Sequence, residues 1–410
     1  MPAGDPRVRV IPALPGPRAH LDRITADLDA GFSCLWLVPD ALVASGVAEE
    51  LLADLAARPD SVRVVPPSVV EVERPPAVPT VDGRALPSWA VGHPAFEEVA
   101  WSPAPEPVHV PVVRLADRVA GMLVGGPYDD PVDAVAASPE ARRRVVVVCG
   151  WEEDDPAAVG AFLSRMSAAR APRVLVAART GDVRAGALDP LTGRTHWWWG
   201  VTGRLDTAVV VGTGRPGLRG AVAREVVVEL AGPDLDLAAS LARSWDGRVE
   251  ALEGLLDVVS PSVVPVGGGH TGHPPAALRE PWSRGLADLW EGQVRVSPRA
   301  VPPGRRAEVV RSLVWRAQHR ALTPVLDDAR AAIEVVFRSR ASTAVLAEVA
   351  RDPDAPLELG PMCWAVAHLG VRIPQHERRL LSRLRDARNA LAHLRPVTDD
   401  DLDGIEKLLG

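Results

Sequence analysis

Residues 27–58 read DLDAGFSCLWLVPDALVASGVAEELLADLAAR. The apolar run Phe32 to Val38 is too short for a buried helix and is closed by Pro39, so it predicts a strand covered on both faces. Residues 41–57 then place alanine, valine and leucine at three- and four-residue intervals, which predicts a helix. The same alternation continues outward. Val62 to Val65, Arg144 to Cys149, Arg173 to Ala178, Thr207 to Val211 and Ala223 to Leu230 are β-branched apolar runs, and 155–170 has helical spacing. Runs such as VVVVC fit a parallel sheet buried on both faces, and strand–helix alternation predicts an α/β layered domain over residues 1–258.

The pattern breaks twice. Residues 72–112 hold many prolines with Trp89, Phe96 and Trp101 and show little periodicity, as expected of a long ordered insertion. Residues 259–275 include PSVVPVGGGHTGHPP, dense enough in glycine and proline to mark a linker. Beyond 276 strand signals stop. Helices are predicted at 276–291, 304–321, 324–339, 341–351, 358–369 and 375–394, with Thr323-Pro324 as a helix start and Pro396 as a stop, giving an all-α bundle over 276–410.

Composition narrows the chemistry. A length of 410 residues allows two or three domains, and a net charge of −7 gives no global nucleic-acid footprint. No apolar run approaches the roughly 18 residues a membrane span needs, and MPAGDPRVRV has no signal-peptide core, so no membrane contact and a cytoplasmic location are expected. Cys34, Cys149 and Cys363 are widely spaced and read as small core residues. The single lysine is Lys407, leaving none for a phosphate loop or Schiff base elsewhere. Charge is uneven: residues 376–395 carry six arginines against Glu377 and Asp386, and 305–340 carry eight arginines against four acids. Such runs describe either a solvated helix face or a phosphate-attracting surface.

The 27–58 stretch resembles the opening of a P-loop ATPase of the STAND or AAA type: a short helix, a glycine, a buried strand, a loop, then a helix. RRRVVVVCGWEED sits where a Walker B strand would be and APRVLVAAR where a sensor strand would be; REVVVELAGPDLDLAASLARSWDG extends the likeness. The resemblance covers about residues 15–255. The phosphate loop departs from it, reading Pro39-Asp40-Ala41-Leu42-Val43-Ala44-Ser45, with no glycine before Gly46, no lysine, and an Asp40 that repels phosphate. The resemblance therefore implies an inactive STAND-like module with no bound cofactor, serving as scaffold or sensor. Three further features have two readings each. Trp197-Trp198-Trp199 beside His196 is an exposed patch or a partly buried strand edge; Gly212 to Gly217 is an anion cradle or an ordinary turn; His270 with His273 is half a metal site or part of the linker.

The most compact reactive set is Arg388-Asn389-Ala390-Leu391-Ala392-His393. Leu380, Leu381, Leu384, Ala387, Leu391 and Leu394 form a stripe on that helix. At 100° per residue Arg388 falls inside the stripe, and His393 lies roughly 140° from it, so the two cannot share one face of a straight helix. They can meet across a two-fold dimer, or if the helix unwinds before Pro396. The alternative is structural: Arg388 paired with Asp386 or Glu358, and His393 favouring the helix dipole.

LLSRLRDARNALAHLRPV resembles the last long helix of HEPN domains, whose Arg-polar-x-x-x-His motif forms a composite metal-independent ribonuclease site across a dimer. Arg388, Asn389 and His393 match it position by position, and the likeness covers about residues 300–408. It implies His393 as general acid or base at the ribose 2′-OH or leaving oxygen, Arg388 neutralising the phosphorane, and Asn389 orienting either. The expectation is a conflict or defence protein: a nucleotide-independent STAND-like sensor fused to an endoribonuclease, with RNA as substrate, a homodimer through the C-terminal helices, partner proteins of the same system, and neither metal nor cofactor. The competing readings are a non-enzymatic adaptor binding partner proteins through both domains, and a nucleic-acid-binding regulator using the basic helices.

Overall fold

The computed structural model describes residues 11–66, 80–81, 84–85, 114–169, 172–183, 194–256, 272–350, 352 and 355–410. Its strands are β1 (Cys34–Val38), β2 (Ser61–Arg63), β3 (Thr80–Val81), β4 (Arg84–Ala85), β5 (Val145–Cys149), β6 (Arg173–Arg179), β7 (Arg194–Trp197), β8 (Ala287–Trp290) and β9 (Gln293–Val296). Its helices are α1 (Pro15–Asp29), α2 (Asp40–Ala44), α3 (Val47–Ala56), α4 (Leu115–Leu123), α5 (Pro131–Ala137), α6 (Pro156–Ala169), α7 (Arg204–Val211), α8 (Gly217–Ala231), α9 (Leu235–Ser244), α10 (Leu252–Leu255), α11 (Arg279–Ser283), α12 (Pro303–Arg340), α13 (Thr343–Val349), α14 (Leu359–His368), α15 (Gln375–Ala392) and α16 (Asp399–Leu409). The architecture is mixed α/β, with a five-stranded parallel sheet in the order β2-β5-β6-β1-β7 and a C-terminal set of helices.

The strands at 34–38, 145–149 and 173–179 stand where the apolar runs predict. Every residue of β1 and β5 is buried, as a sheet covered on both faces requires. Val62 pairs with Val146, which pairs with Val174, all parallel. The insertion expected at 72–112 lies outside the described residues except for the short β3–β4 pair, and residues 259–271 of the expected linker also lie outside them.

Two compact units divide the chain elsewhere than the sequence reading does. One comprises Met1–Ala30, Leu35–Arg58 and Thr195–Gly410; the other comprises Gly31–Cys34 and Pro59–Arg194. In the first unit, α8 and α9 share one hydrophobic core with α12, α14, α15 and α16, so residues on both sides of the expected linker complete a single bundle.

Three sequence expectations need correction there. Thr207 to Val211 and Ala223 to Leu230 are helical, forming α7 and most of α8. In α8 Val222, Val226, Val227, Leu230 and Ala231 are all buried, and a helix apolar on most sides shows no strand-excluding periodicity. Residues 276–291 do not form a helix; a turn, the five-residue α11 and the antiparallel β8–β9 hairpin take their place, so the C-terminal part is not all-α. Finally, 304–321 and 324–339 are one helix, α12, of 38 residues and so about 57 Å long. Pro324 sits inside it, and one turn back the Thr323 hydroxyl donates to the His319 carbonyl at 2.6 Å. Among the described residues no helix is long and apolar enough to cross a membrane.

Two buried polar groups tie this unit together. Gln318, fully buried on α12, donates from Nε2 to the Val397 carbonyl at 3.0 Å and accepts the Val397 N–H on Oε1 at 2.7 Å. His20 on α1 is 2 % exposed, with Trp36 and Trp198 ring centroids 6.4 and 5.4 Å away. Burial, then the charges of Arg23 and His196, push its pKa down to about 3.

Replacing Gln318 by Leu should therefore lower stability by at least about 2 kcal/mol, read from urea denaturation, because two buried backbone groups lose their partners. His20 stays neutral in the folded protein while an unfolded imidazole protonates below about pH 6.5, so its contribution is complete above that pH and is lost as pH falls toward 3. Wild type should lose up to about 1.4 kcal/mol per pH unit through this group below pH 6.5. His20→Gln should remove that part of the slope in melts taken across the same window.

Candidate functional site: the C-terminal end of the last long helix

α12 and α15 run antiparallel, as the cross-pairs of residues 327 with 388 and 318 with 397 show. Five of the six stripe residues pack as expected: Leu380, Leu381, Leu384, Ala387 and Leu391 are buried, whereas Leu394 lies past the end of α15 and is exposed. Arg388 does not belong to the stripe. Its side chain is 44 % exposed, and Nη1 donates to Oδ1 of Asp327 on α12 at 2.9 Å. An arginine stem is long enough to carry the charged head out of the interface to water, which an angular projection of Cα positions misses. Neither structural partner expected from sequence is the one found: Asp386 pairs with Arg385, and Glu358 stands at the N-cap position of α14 with no side-chain capping bond. Asn389 and His393 are exposed as well.

The helix stops within the hexapeptide. α15 ends at Ala392, and His393 is the capping residue, its backbone N–H donating to the carbonyls of Asn389 and Ala390 at 3.1 and 3.2 Å. Leu394 follows at φ +57°, in the left-handed region. Leu394 N–H donates to Leu391 O and Arg395 N–H to Ala390 O, the paired bonds of a Schellman ending, with leucine where glycine is usual. Trp315 on α12 adds a cap, its indole N–H donating to the Leu391 carbonyl at 2.8 Å. His393 thus stands off the helical path in a turn held from two sides.

Trp315 also lines a cavity of about 640 Å3 together with Trp290, Arg295, Arg316, His319 and Arg320. Its ring is tilted 55° against that of His319, centroids 5.7 Å apart. Sequence reasoning did not single out Trp315, Asp327 or Gln318; only their spacing on α12 opposite the hexapeptide carries a signal, and that pairing is invisible until the antiparallel register is known.

The lesser candidates resolve as follows. Residues Asp40–Ala44 of the emptied loop are a helical turn, α2, with Asp40 at its first position. Trp198 and Trp199 are buried, and His196 Nε2 lies 3.0 Å from Asp27 Oδ2. Gly212 ends α7 and its carbonyl accepts from Arg224 Nε at 2.7 Å, so the glycine-rich segment is a turn between helices. His270 lies outside the described residues, and His273 stands 6.1 Å from Trp197. Cys34 and Cys149 are buried and Cys363 half-buried. His368 is exposed, its ring tilted 43° against that of Trp364 with centroids 5.9 Å apart.

Comparison with protein families, with curated proteins and with solved structures finds no match to this chain.

Because Leu394 is 64 % exposed and left-handed, Leu394→Gly should remove backbone strain at little cost in buried area. Stability should rise by about 0.5–1 kcal/mol in urea titration, while Leu394→Val, a β-branched residue poorly suited to that region, should lower it.

Proposed function

We propose that the chain is a metal-independent endoribonuclease of a prokaryotic conflict system, its HEPN-like C-terminal helices joined to a STAND-like sensor or scaffold that works without nucleotide. The observation that carries the reading is the exposure of Arg388, Asn389 and His393 together at one open helix end, where the one ion-pair partner of Arg388 among the described residues is a surface carboxylate. An ion pair this exposed contributes roughly 0–1 kcal/mol, so a phosphate can displace Asp327 and take the guanidinium in bidentate contact. The cavity beside Trp315 adds an aromatic face with Arg316, His319 and Arg320, the combination that holds single-stranded nucleic acid.

Within one copy Arg388 on α15 pairs with Asp327 of α12, whereas His393 sits in the turn past the helix end; the route proposed to a shared phosphate is the two-fold one. A two-fold pairing through the exposed side of α12 and α15 would supply the guanidinium of one copy and the imidazole of the other. His393 then exchanges the proton of the ribose 2′-OH or the leaving 5′-oxygen, and Arg388 offsets the charge gathering on phosphorus. For the N-terminal part, the support is the α2 turn: it closes the stretch where backbone N–H groups would have to wrap a phosphate, and Asp40 adds a repelling charge.

Purified full-length protein should cleave single-stranded RNA in EDTA, and Arg388→Ala and His393→Ala should each slow cleavage about 100-fold or more while melting like wild type. Cleavage at equal rates by wild type and both variants, or none by wild type, would leave a protein-binding adaptor as the better account.

A further inference from the structure

A cavity of about 300 Å3 opens at the carboxyl ends of β1 and β7, away from the hexapeptide. That end of a parallel sheet is where α/β folds take ligands, and the size is at the small end for an organic molecule. Leu42 of α2 forms one wall, and Trp198, Trp282 and Leu286, all nearly fully buried, form others. These walls are firmly set: the Trp282 indole N–H donates to the Trp198 carbonyl at 2.9 Å.

The charges facing the cavity are Asp234 and Asp236 at the start of α9, Arg284 after α11, Asp288 on β8, and Arg299 after β9. Most are already engaged. Arg299 reaches Asp234 at 3.6 Å, and Arg284 reaches Glu280 at 3.3 Å. Asp234 also caps α9 by accepting Leu237 N–H, so that helix end presents negative charge and offers an anion nothing. Asp288 differs. One of its oxygens accepts the N–H groups of Gly200 and Leu289, at 2.9 and 2.7 Å, and no cation pairs with it among the described residues. Loss of hydration against those two bonds pushes its pKa up to about 7.

We propose that this cavity binds a small organic cation, an ammonium or guanidinium on an apolar body, with Asp288 as the counter-carboxylate and Leu42, Trp198 and Leu286 against the body. The proposal is independent of the ribonuclease reading: it concerns the sheet end of this unit and requires no RNA chemistry. A carboxylate half withdrawn from water and lacking a cation partner gains most from a ligand that brings one. Phosphates and carboxylates are disfavoured by three aspartates, and the two arginines facing the cavity are already paired.

Calorimetric titration of the full chain at pH 8 with three molecules of one shape tests it: phenethylamine, 2-phenylethanol and 3-phenylpropionate. Phenethylamine should bind at least tenfold more tightly than the other two, and its affinity should fall as pH drops from 8 to 6. Asp288→Asn should abolish the advantage of the amine over the alcohol. Leu42→Trp, which narrows the cavity from a half-buried wall position without touching a charge, should weaken all binding, and a melting curve checks that each variant folds. Equal affinity for the three molecules, no binding of phenethylamine, tighter binding of the propionate, or unchanged amine affinity in both folded variants would overturn the proposal.

Discussion

The side-chain amide of Gln318 reads the backbone of Val397 as a neighbouring strand would, one donor and one acceptor each way, in a position without water. Leaving either backbone group unpaired would cost about 1–3 kcal/mol, so the crossing point of α12 with the segment after α15 is fixed in register, not merely in contact. Much follows from that register. The chain must leave α15 within a few residues to arrive at Val397, which forces the turn at His393 and Leu394. Trp315, one turn before Gln318 on α12, is then in reach of the Leu391 carbonyl, and Asp327, further along, is in reach of Arg388. Asp399, just past Val397, in turn accepts from Arg219 on α8 and from the Val249 backbone, joining the early and late parts of this unit.

Legibility in the sequence tracked how one-sided each segment's surroundings are. β1, β5 and β6 declared themselves because a short apolar run closed by a breaker fits little else. α15 declared itself because one face meets core and the other meets water. α8 did neither. Surrounded by helices, it is apolar nearly all round, and its valines match a strand as well as a buried helix; its length of 15 residues was the better guide. α12 was split because a proline commonly ends a helix, yet here packing along its whole length outweighs one missing hydrogen bond. The β8–β9 hairpin, expected as the end of a helix over 276–291, turns at Glu291 with φ +51° and Gly292 with φ +75°. At the candidate site the residue identities were readable in the hexapeptide, but the exposure of Arg388 was not, since the length of its side chain decides it.

With one lysine in the chain, arginine must serve both structure and any ligand, and the structure separates the two uses. Arg204 and Arg295 close on buried Glu229 and lie over the Trp290 ring at 5.6 and 4.9 Å. Arg306, 9 % exposed, donates to the Val301 carbonyl. Removing one partner from such a set strands a charge and costs several kcal/mol, so these guanidiniums are not free to recognise anything else. Arg316, Arg378, Arg379 and Arg395 have no ion-pair partner among the described residues and are half-buried or exposed. Arg316 lies on α12, Arg378 and Arg379 lie near the start of α15, and Arg395 follows its end, although the chain as a whole is acidic.

Arg388 stands between these groups, and its pair is what makes it usable. A fully free guanidinium on a long stem samples many directions, whereas one held by Asp327 is oriented before any ligand arrives. The holding energy is small because both partners face water, so exchange for a backbone phosphate, whose two non-bridging oxygens can take the guanidinium in bidentate contact, costs little. Asp327 would then work as a placeholder, keeping the guanidinium aimed along the open end of α15 in the absence of substrate. The same exchange explains why burial would have been the wrong environment: a buried Asp327–Arg388 pair would resist exchange by the full cost of stranding the carboxylate. On the proposed ribonuclease reading, surface placement of this pair beside the α12–α15 interface is thus the condition under which the Arg388 to His393 segment would act on an external phosphate.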